Sequence, residues 1–139
     1  MKKLLFVPFA FLAFSCASSW KPIPTEYVVK DKPSENRIEV LFTNETEELL
    51  CLLPEHWPNQ AGKINQASDY VFLLVADRRF PIKDYNTGYC PEGCALVVRP
   101  GETVSSSIPY DDFHLPDDLR SEPKHLELPV TAYTCPNEA

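Results

Sequence analysis

The sequence predicts an all-β fold, a two-layer β-sandwich of about seven strands, and three observations carry that prediction. Apolar residues alternate with polar ones or run in short blocks of strand length. Nowhere do they recur at i, i+3, i+4 and i+7 over several turns without an intervening proline. Fourteen prolines are spread through 139 residues, and each removes a backbone donor and breaks a helix interior. Turn-forming residues separate the apolar segments at intervals of about ten residues, which suits short antiparallel strands.

The first element is not part of that fold. Lys2 and Lys3 precede an apolar run over residues 4–14, and the small residues Ser15, Cys16, Ala17, Ser18 and Ser19 follow. Charged, then apolar, then small is the order of an export signal, here residues 1–15. About eleven apolar residues would span about 16 Å as a helix, against a hydrocarbon core of about 30 Å, so the run is too short for a permanent membrane span. Residues 16–36 read as a tether, because Ser18-Ser19-Trp20-Lys21-Pro22-Ile23-Pro24 and Lys30-Asp31-Lys32-Pro33-Ser34 are polar and proline-rich. Tyr27-Val28-Val29 is an optional edge strand within it. The compact domain is expected over 37–139.

Within the domain the strands follow in order. Ile38, Val40 and Phe42 alternate with Glu39 and Leu41, as one buried face requires, and Thr43-Asn44-Glu45-Thr46 forms a turn. Leu49-Leu50-Cys51-Leu52-Leu53 is continuously apolar and ends at Pro54, which fits a central strand covered on both faces. The β-branched and aromatic run over 70–76 is the strongest strand, with Asp77-Arg78 turning into a strand over 79–82. Segments 95–98, 102–108 and 126–134 complete the set. Arg99-Pro100-Gly101-Glu102 is a proline and glycine turn between two of them.

About seven short strands with turn signals between them describe an immunoglobulin-like sandwich. The order Val40-Leu41-Phe42-Thr43-Asn44-Glu45-Thr46, a hydrophobic strand, then Pro100-Gly101-Glu102 before Tyr110-Asp111-Asp112-Phe113 resembles the immunoglobulin-like domains of bacterial exported proteins, including those that precede aspzincin metallopeptidase domains. The chain has no HExxH and no room for a peptidase, so that family's catalysis does not carry over. At the other end, Leu12-Ala13-Phe14-Ser15-Cys16 resembles the lipobox of bacterial lipoproteins. That resemblance implies that Cys16 is diacylated and becomes the new amino terminus. Ala17, where an inner-membrane lipoprotein commonly carries Asp, implies an outer-membrane lipoprotein facing the periplasm. The competing reading is ordinary cleavage after Ala17, with Ser15 and Ala17 as the two small residues of the site.

Cysteine arithmetic follows from the lipoprotein reading. Five cysteines are odd, but committing Cys16 to lipid leaves Cys51, Cys90, Cys94 and Cys135, which can pair in three ways. Cys90-Pro91-Glu92-Gly93-Cys94 brackets a turn, which favours a local bridge and leaves Cys51 to pair with Cys135. The long loop of about 85 residues would stabilise by about 4.6 kcal/mol in the chain-entropy treatment, and the local one by about 2 kcal/mol. The alternative is one zinc ion on all four thiolates, disfavoured by an oxidising compartment and by the lack of a second CxxC-like pair.

Charge and motifs bound the function. The formal net charge is −7, and losing Lys2 and Lys3 with the signal makes the mature chain more acidic still. Nucleic acid and anionic head groups both demand basic patches, so neither is an expected partner. Asp111, Asp112, His114, Asp117 and Asp118 crowd together and could supply cation ligands, but they match no calcium loop and read more simply as a solvated acidic turn. Ser105-Ser106-Ser107 lacks the glycines of a nucleophile elbow. His56, His114 and His125 are scattered without spaced partners. No enzyme, metal site or cofactor is expected. The long connection over residues 54–69 is the better candidate, since loops of that length are often functional. His56 and Trp57 within it are candidate partner-binding residues, with Trp57 either an aromatic anchor or a cap on the core. The expected function is a non-enzymatic lipoprotein that binds an envelope or periplasmic protein. The alternatives are an inhibitor or immunity protein against a periplasmic hydrolase or toxin, and a cation-binding protein or small enzyme.

Overall fold

A computed structural model describes residues 20–23, 25–87 and 95–135. Cys16, Cys90 and Cys94 therefore lie outside the described residues, as do the signal and the lipobox-like segment. The described chain is all-β. Its strands are β1 (Pro22–Ile23), β2 (Val28–Lys32), β3 (Arg37–Thr43), β4 (Leu50–Leu52), β5 (Phe72–Val75), β6 (Arg78–Pro81), β7 (Leu96–Val98), β8 (Thr103–Pro109), β9 (Lys124–Glu127) and β10 (Ala132–Thr134). The helical elements among the described residues are short 3-10 turns at Pro33–Glu35, Tyr110–Phe113 and Asp117–Leu119. No helix there is long and apolar enough to cross a membrane.

The strands form three antiparallel sheets, ordered β1-β10-β4-β7, β2-β3-β8 and β6-β5-β9. β3 behaves as its alternation predicts. Ile38, Val40 and Phe42 are buried, and Ile38 faces Ile108 across the ladder to β8. Leu50, Cys51 and Leu52 are all buried, which fits a strand flanked on both sides by β10 and β7. Leu73 and Val75 carry the third sheet into the same core, alongside Leu126 of β9.

Three expectations need correction. The predicted strand over 126–134 is two strands in two different sheets, β9 and β10. Pro129 has no N–H to donate, and the Val130 amide turns back onto the Leu128 carbonyl at 2.9 Å, so the chain leaves the third sheet and enters the first. The optional edge strand within the segment read as a tether forms as β2, paired with β3 along five residues, but that segment also adds β1, paired with β10, so strand pairing begins before Arg37. The Tyr27 hydroxyl, donating to the Leu128 carbonyl at 2.6 Å, ties that segment to the Pro129 kink. Third, the hairpin turn sits one residue earlier than expected. Ala76 and Asp77 occupy it with φ of 48° and 60°, the pattern of a type I′ turn.

Cys51 and Cys135 are joined by a disulfide, with Cα atoms 5.2 Å apart and a sequence separation of 84. Cys51 lies opposite Tyr133, and the Cys135 amide donates to the Leu49 carbonyl at 3.1 Å, so the bridge runs diagonally across the β4–β10 pair.

The long connection over residues 53–71 packs on β8. The Ser106 hydroxyl donates to the Asn59 carbonyl at 2.8 Å. Gly62 has φ of 75°, and a Cβ there would stand 2.1 Å from the Ser107 carbonyl oxygen, so this loop depends on glycine at its closest approach to the sheet.

Two stability predictions follow from these geometries. Cys51→Ser or Cys135→Ser should lower unfolding free energy by several kcal/mol, up to about 4.6 on the loop-entropy estimate, with dithiothreitol bringing the wild type to the same urea midpoint. An unchanged midpoint would refute the cross-link. Ala76→Asn should raise stability by about 0.5–1 kcal/mol, because asparagine tolerates the left-handed backbone that alanine resists. A lower melting temperature in that variant would contradict the turn.

Candidate functional site

Sequence alone points to His56 and Trp57, and the fold separates them. Trp57 is only 3% exposed, its ring 6.3 Å from that of Phe42 in an edge-on contact. It caps the core, the packing alternative for this residue, and offers a partner no open ring face; burial of a large indole against β3 is worth more than leaving it in water. His56 is half-buried, with its ring 6.3 Å from Tyr70 and 6.5 Å from Tyr133. Its Nδ1 finds no hydrogen-bond partner among the described residues.

The acidic turn also resolves into structure. Asp112 is 3% exposed and points inward, where Lys63 Nζ reaches its two oxygens at 2.9 and 2.6 Å and the Tyr85 hydroxyl donates at 2.9 Å. Asp111 and Asp117 both pair with Arg120, at 2.6 and 2.9 Å. Only Asp112 is buried in its pair; the Asp111 and Asp117 side chains stay largely exposed, as does Asp118. His114 is exposed at the end of the turn, and His125 is exposed on β9. Among the described residues no group of three or more His, Cys, Asp or Glu side chains converges on a metal position. Ser105, Ser106 and Ser107 lie along β8 as strand residues.

Charged and polar residues with no sequence signature hold the three sheets together. Lys124 of β9 has a fully buried side chain that donates to Asp31 of β2 at 3.3 Å and to the Arg120 and Glu122 carbonyls at 2.6 and 2.8 Å. The Tyr110 hydroxyl donates to the same Asp31 carboxylate, and the ammonium lies 4.6 Å from the Tyr110 ring centre. This cluster joins the second sheet to the third. Every proton of the ammonium has an acceptor, as burial of a charge demands. Asn44, wholly buried, joins the first sheet to the second, donating to the Glu48 and Val98 carbonyls at 2.8 and 2.9 Å and accepting from the Thr46 amide and hydroxyl.

The concave feature of interest is a half-open groove of about 730 Å³ between the β1–β2 segment and the ends of β3 and β8. Ile23, Tyr27, Leu41, Phe42 and Leu50 supply its apolar lining. Thr43 and Thr103, bridged hydroxyl to hydroxyl at 2.8 Å, sit at its exposed rim with Glu26, Glu45 and Lys30. Sequence reasoning missed it because half of its wall comes from a segment read as tether. No protein family, curated protein or solved structure matches the chain in the three comparisons made.

Burial raises the pKa of the Tyr110 phenol, and its bond to the Asp31 carboxylate adds to the effect. For Lys63, partial burial opposes the charge, but hydrogen bonds to Asp112 and Tyr85 outweigh it and the pKa is raised. Both groups hold their protons more tightly when folded. The stability they contribute is complete below the ordinary pKa values of about 10 and is lost as pH rises through the folded values. Urea midpoints measured from pH 7 upward should therefore fall above about pH 10, and Tyr110→Phe should flatten that fall while lowering stability near neutrality by about 1 kcal/mol for its lost hydrogen bond. Parallel pH profiles for the two proteins would remove Tyr110 from the account.

Proposed function

We propose that this chain is an exported, non-enzymatic lipoprotein, anchored through Cys16 in the outer membrane and facing the periplasm. Its β domain is a binding module for another envelope protein. The observation that carries the binding reading is the groove beside β2. β2 is the outer strand of its sheet, and Val28 and Val29 on it are 55% and 38% exposed. An edge strand with apolar side chains next to a groove is the arrangement by which an extended segment of a partner adds itself to a sheet, the backbone supplying affinity and alternate side chains supplying selectivity. Glu26 and Glu45 against Lys30 at the rim, within an acidic chain, favour a segment that carries basic residues.

We read the domain itself as an immunoglobulin-like sandwich in which the strands are divided over three short sheets. Antiparallel pairing within each of the three sheets and the non-consecutive neighbours β3–β8, β4–β7, β4–β10 and β5–β9 support that reading. The second expected bridge, Cys90 to Cys94, belongs to the same proposal. The lipid anchor rests on the lipobox-like segment and on the even cysteine set that remains after it.

The test compares affinity capture from the native envelope by the wild type with capture by Val28→Lys and Thr103→Arg, two exposed changes that obstruct the edge and the rim. Both variants should melt like the wild type and lose the partner that the wild type retains. Undiminished recovery of the same partner by both would exclude the groove. Cys16→Ser should move the protein from the membrane fraction to the soluble one, and a wild type already soluble would exclude the anchor.

A further inference from the structure

We infer that the outer face of the first sheet rests against a zwitterionic bilayer surface, an inference that depends on the lipid anchor proposed at Cys16. The register defines this face. Pro22, Tyr133, Cys51 and Val97 are paired in one row across β1, β10, β4 and β7, so their side chains project to one side. Leu49 and Cys135 stand two residues further along on the same side, the Cys135 N–H donating to the Leu49 carbonyl. Ile23, Ala132, Leu52 and Leu50 alternate to the opposite side, where Leu50, Leu52 and Ala132 enter the core.

Around the buried Cys51, the outer side is apolar and partly exposed. Leu49 is 49% exposed, Val97 45% and Trp20 43%. Trp20 packs its ring edge-on to Tyr133 at 6.1 Å, and the His56 ring lies 6.5 Å from Tyr133. Rings with an apolar body and a polar tip are the side chains that settle at the boundary between hydrocarbon and water.

The chain length identifies what covers this face. Trp20 follows Cys16 by four residues, and four residues reach at most about 14 Å. A diacylated Cys16 fixed in the bilayer therefore holds Trp20 within a short reach of the head groups, and the face that carries Trp20 is the one brought to the surface. Because the anchor makes contact intramolecular, even a weakly apolar face is driven onto the lipid by effective concentration. The acidic balance of the chain, with Glu47 and Glu48 beside Leu49, directs it to zwitterionic in preference to anionic lipid. The groove is lined by Ile23 and Leu50 from the opposite side of the sheet, so this orientation leaves it open to the periplasm.

The experiment uses the full lipidated protein, reconstituted into phosphatidylcholine vesicles with or without brominated acyl chains. Trp20 emission is taken as the difference between the wild type and Trp20→Phe, which leaves the buried Trp57 undisturbed. Bromines should quench half or more of that emission. Leu49→Glu with Val97→Glu, both at exposed positions, should abolish the quenching while the diacyl mass on Cys16 is retained. Equal Trp20 emission in brominated and plain vesicles, with the diacyl mass present, would overturn the inference, whether the face is then free or covered by a protein. Absence of the diacyl mass is a separate result, and it would overturn the anchor on which the inference stands.

Discussion

The bridge between Cys51 and Cys135 is the constraint on which the other contacts depend. It joins a central strand of the first sheet to the segment just after the final strand, across a sequence separation of 84. Strands of two to seven residues, each in a sheet of three or four, bury too little apolar surface to stand alone. Holding β10 against β4 shortens the search for every contact between them, and it places Tyr133 and Leu49 on one exposed side. It also fixes the ladder against which β1 can pair.

The sheets then meet through polar groups more than through long ladders. The buried ammonium of Lys124 accepts no compromise in its surroundings: Asp31, two backbone carbonyls and the Tyr110 ring must all arrive together, and they come from different sheets and turns. Asn44 does the same for the first and second sheets, and Lys63 with Asp112 and Tyr85 for the long loop. Breaking one member of such a cluster leaves its partners buried and unpaired, which penalises alternative packings of the same strands. The acidic turn after β8 is part of this scaffold. Asp112 neutralises Lys63, Asp111 and Asp117 pair with Arg120, and Asp118 is exposed.

The amino-terminal segment connects structure to function. A stretch that composition describes as a linker pairs with β10 at its start and β3 at its end, and between those ladders it forms a wall of the groove. Thr25 reinforces it, accepting the Ala132 amide at 3.0 Å. The same segment thus links the proposed anchor, the aromatic outer face and the proposed binding edge, so attachment to the membrane and presentation of the groove are one geometric problem.

Local pattern by itself determined the all-β class and the positions of β3, β4, β5, β7 and β8, because side-chain alternation and proline content are properties of neighbouring residues, whereas cysteine spacing only favoured Cys51 with Cys135 among three pairings, and the fold joins that pair. Tertiary structure alone decided the rest. Residues 126–134 looked like one strand, and only the sheet to which each half pairs shows that Pro129 divides them. The inward turn of Asp112 toward Lys63 and the burial of Lys124 depend on partners 49 and 93 residues away, which no local window contains. By sequence Trp57 is open to two placements, an anchor for a partner or a cap on the core; the presence of Phe42 against it settles its place as the cap. The groove exists because two ladders hold a proline-rich segment against β3, and long-range hydrogen bonding of that kind leaves no trace in composition.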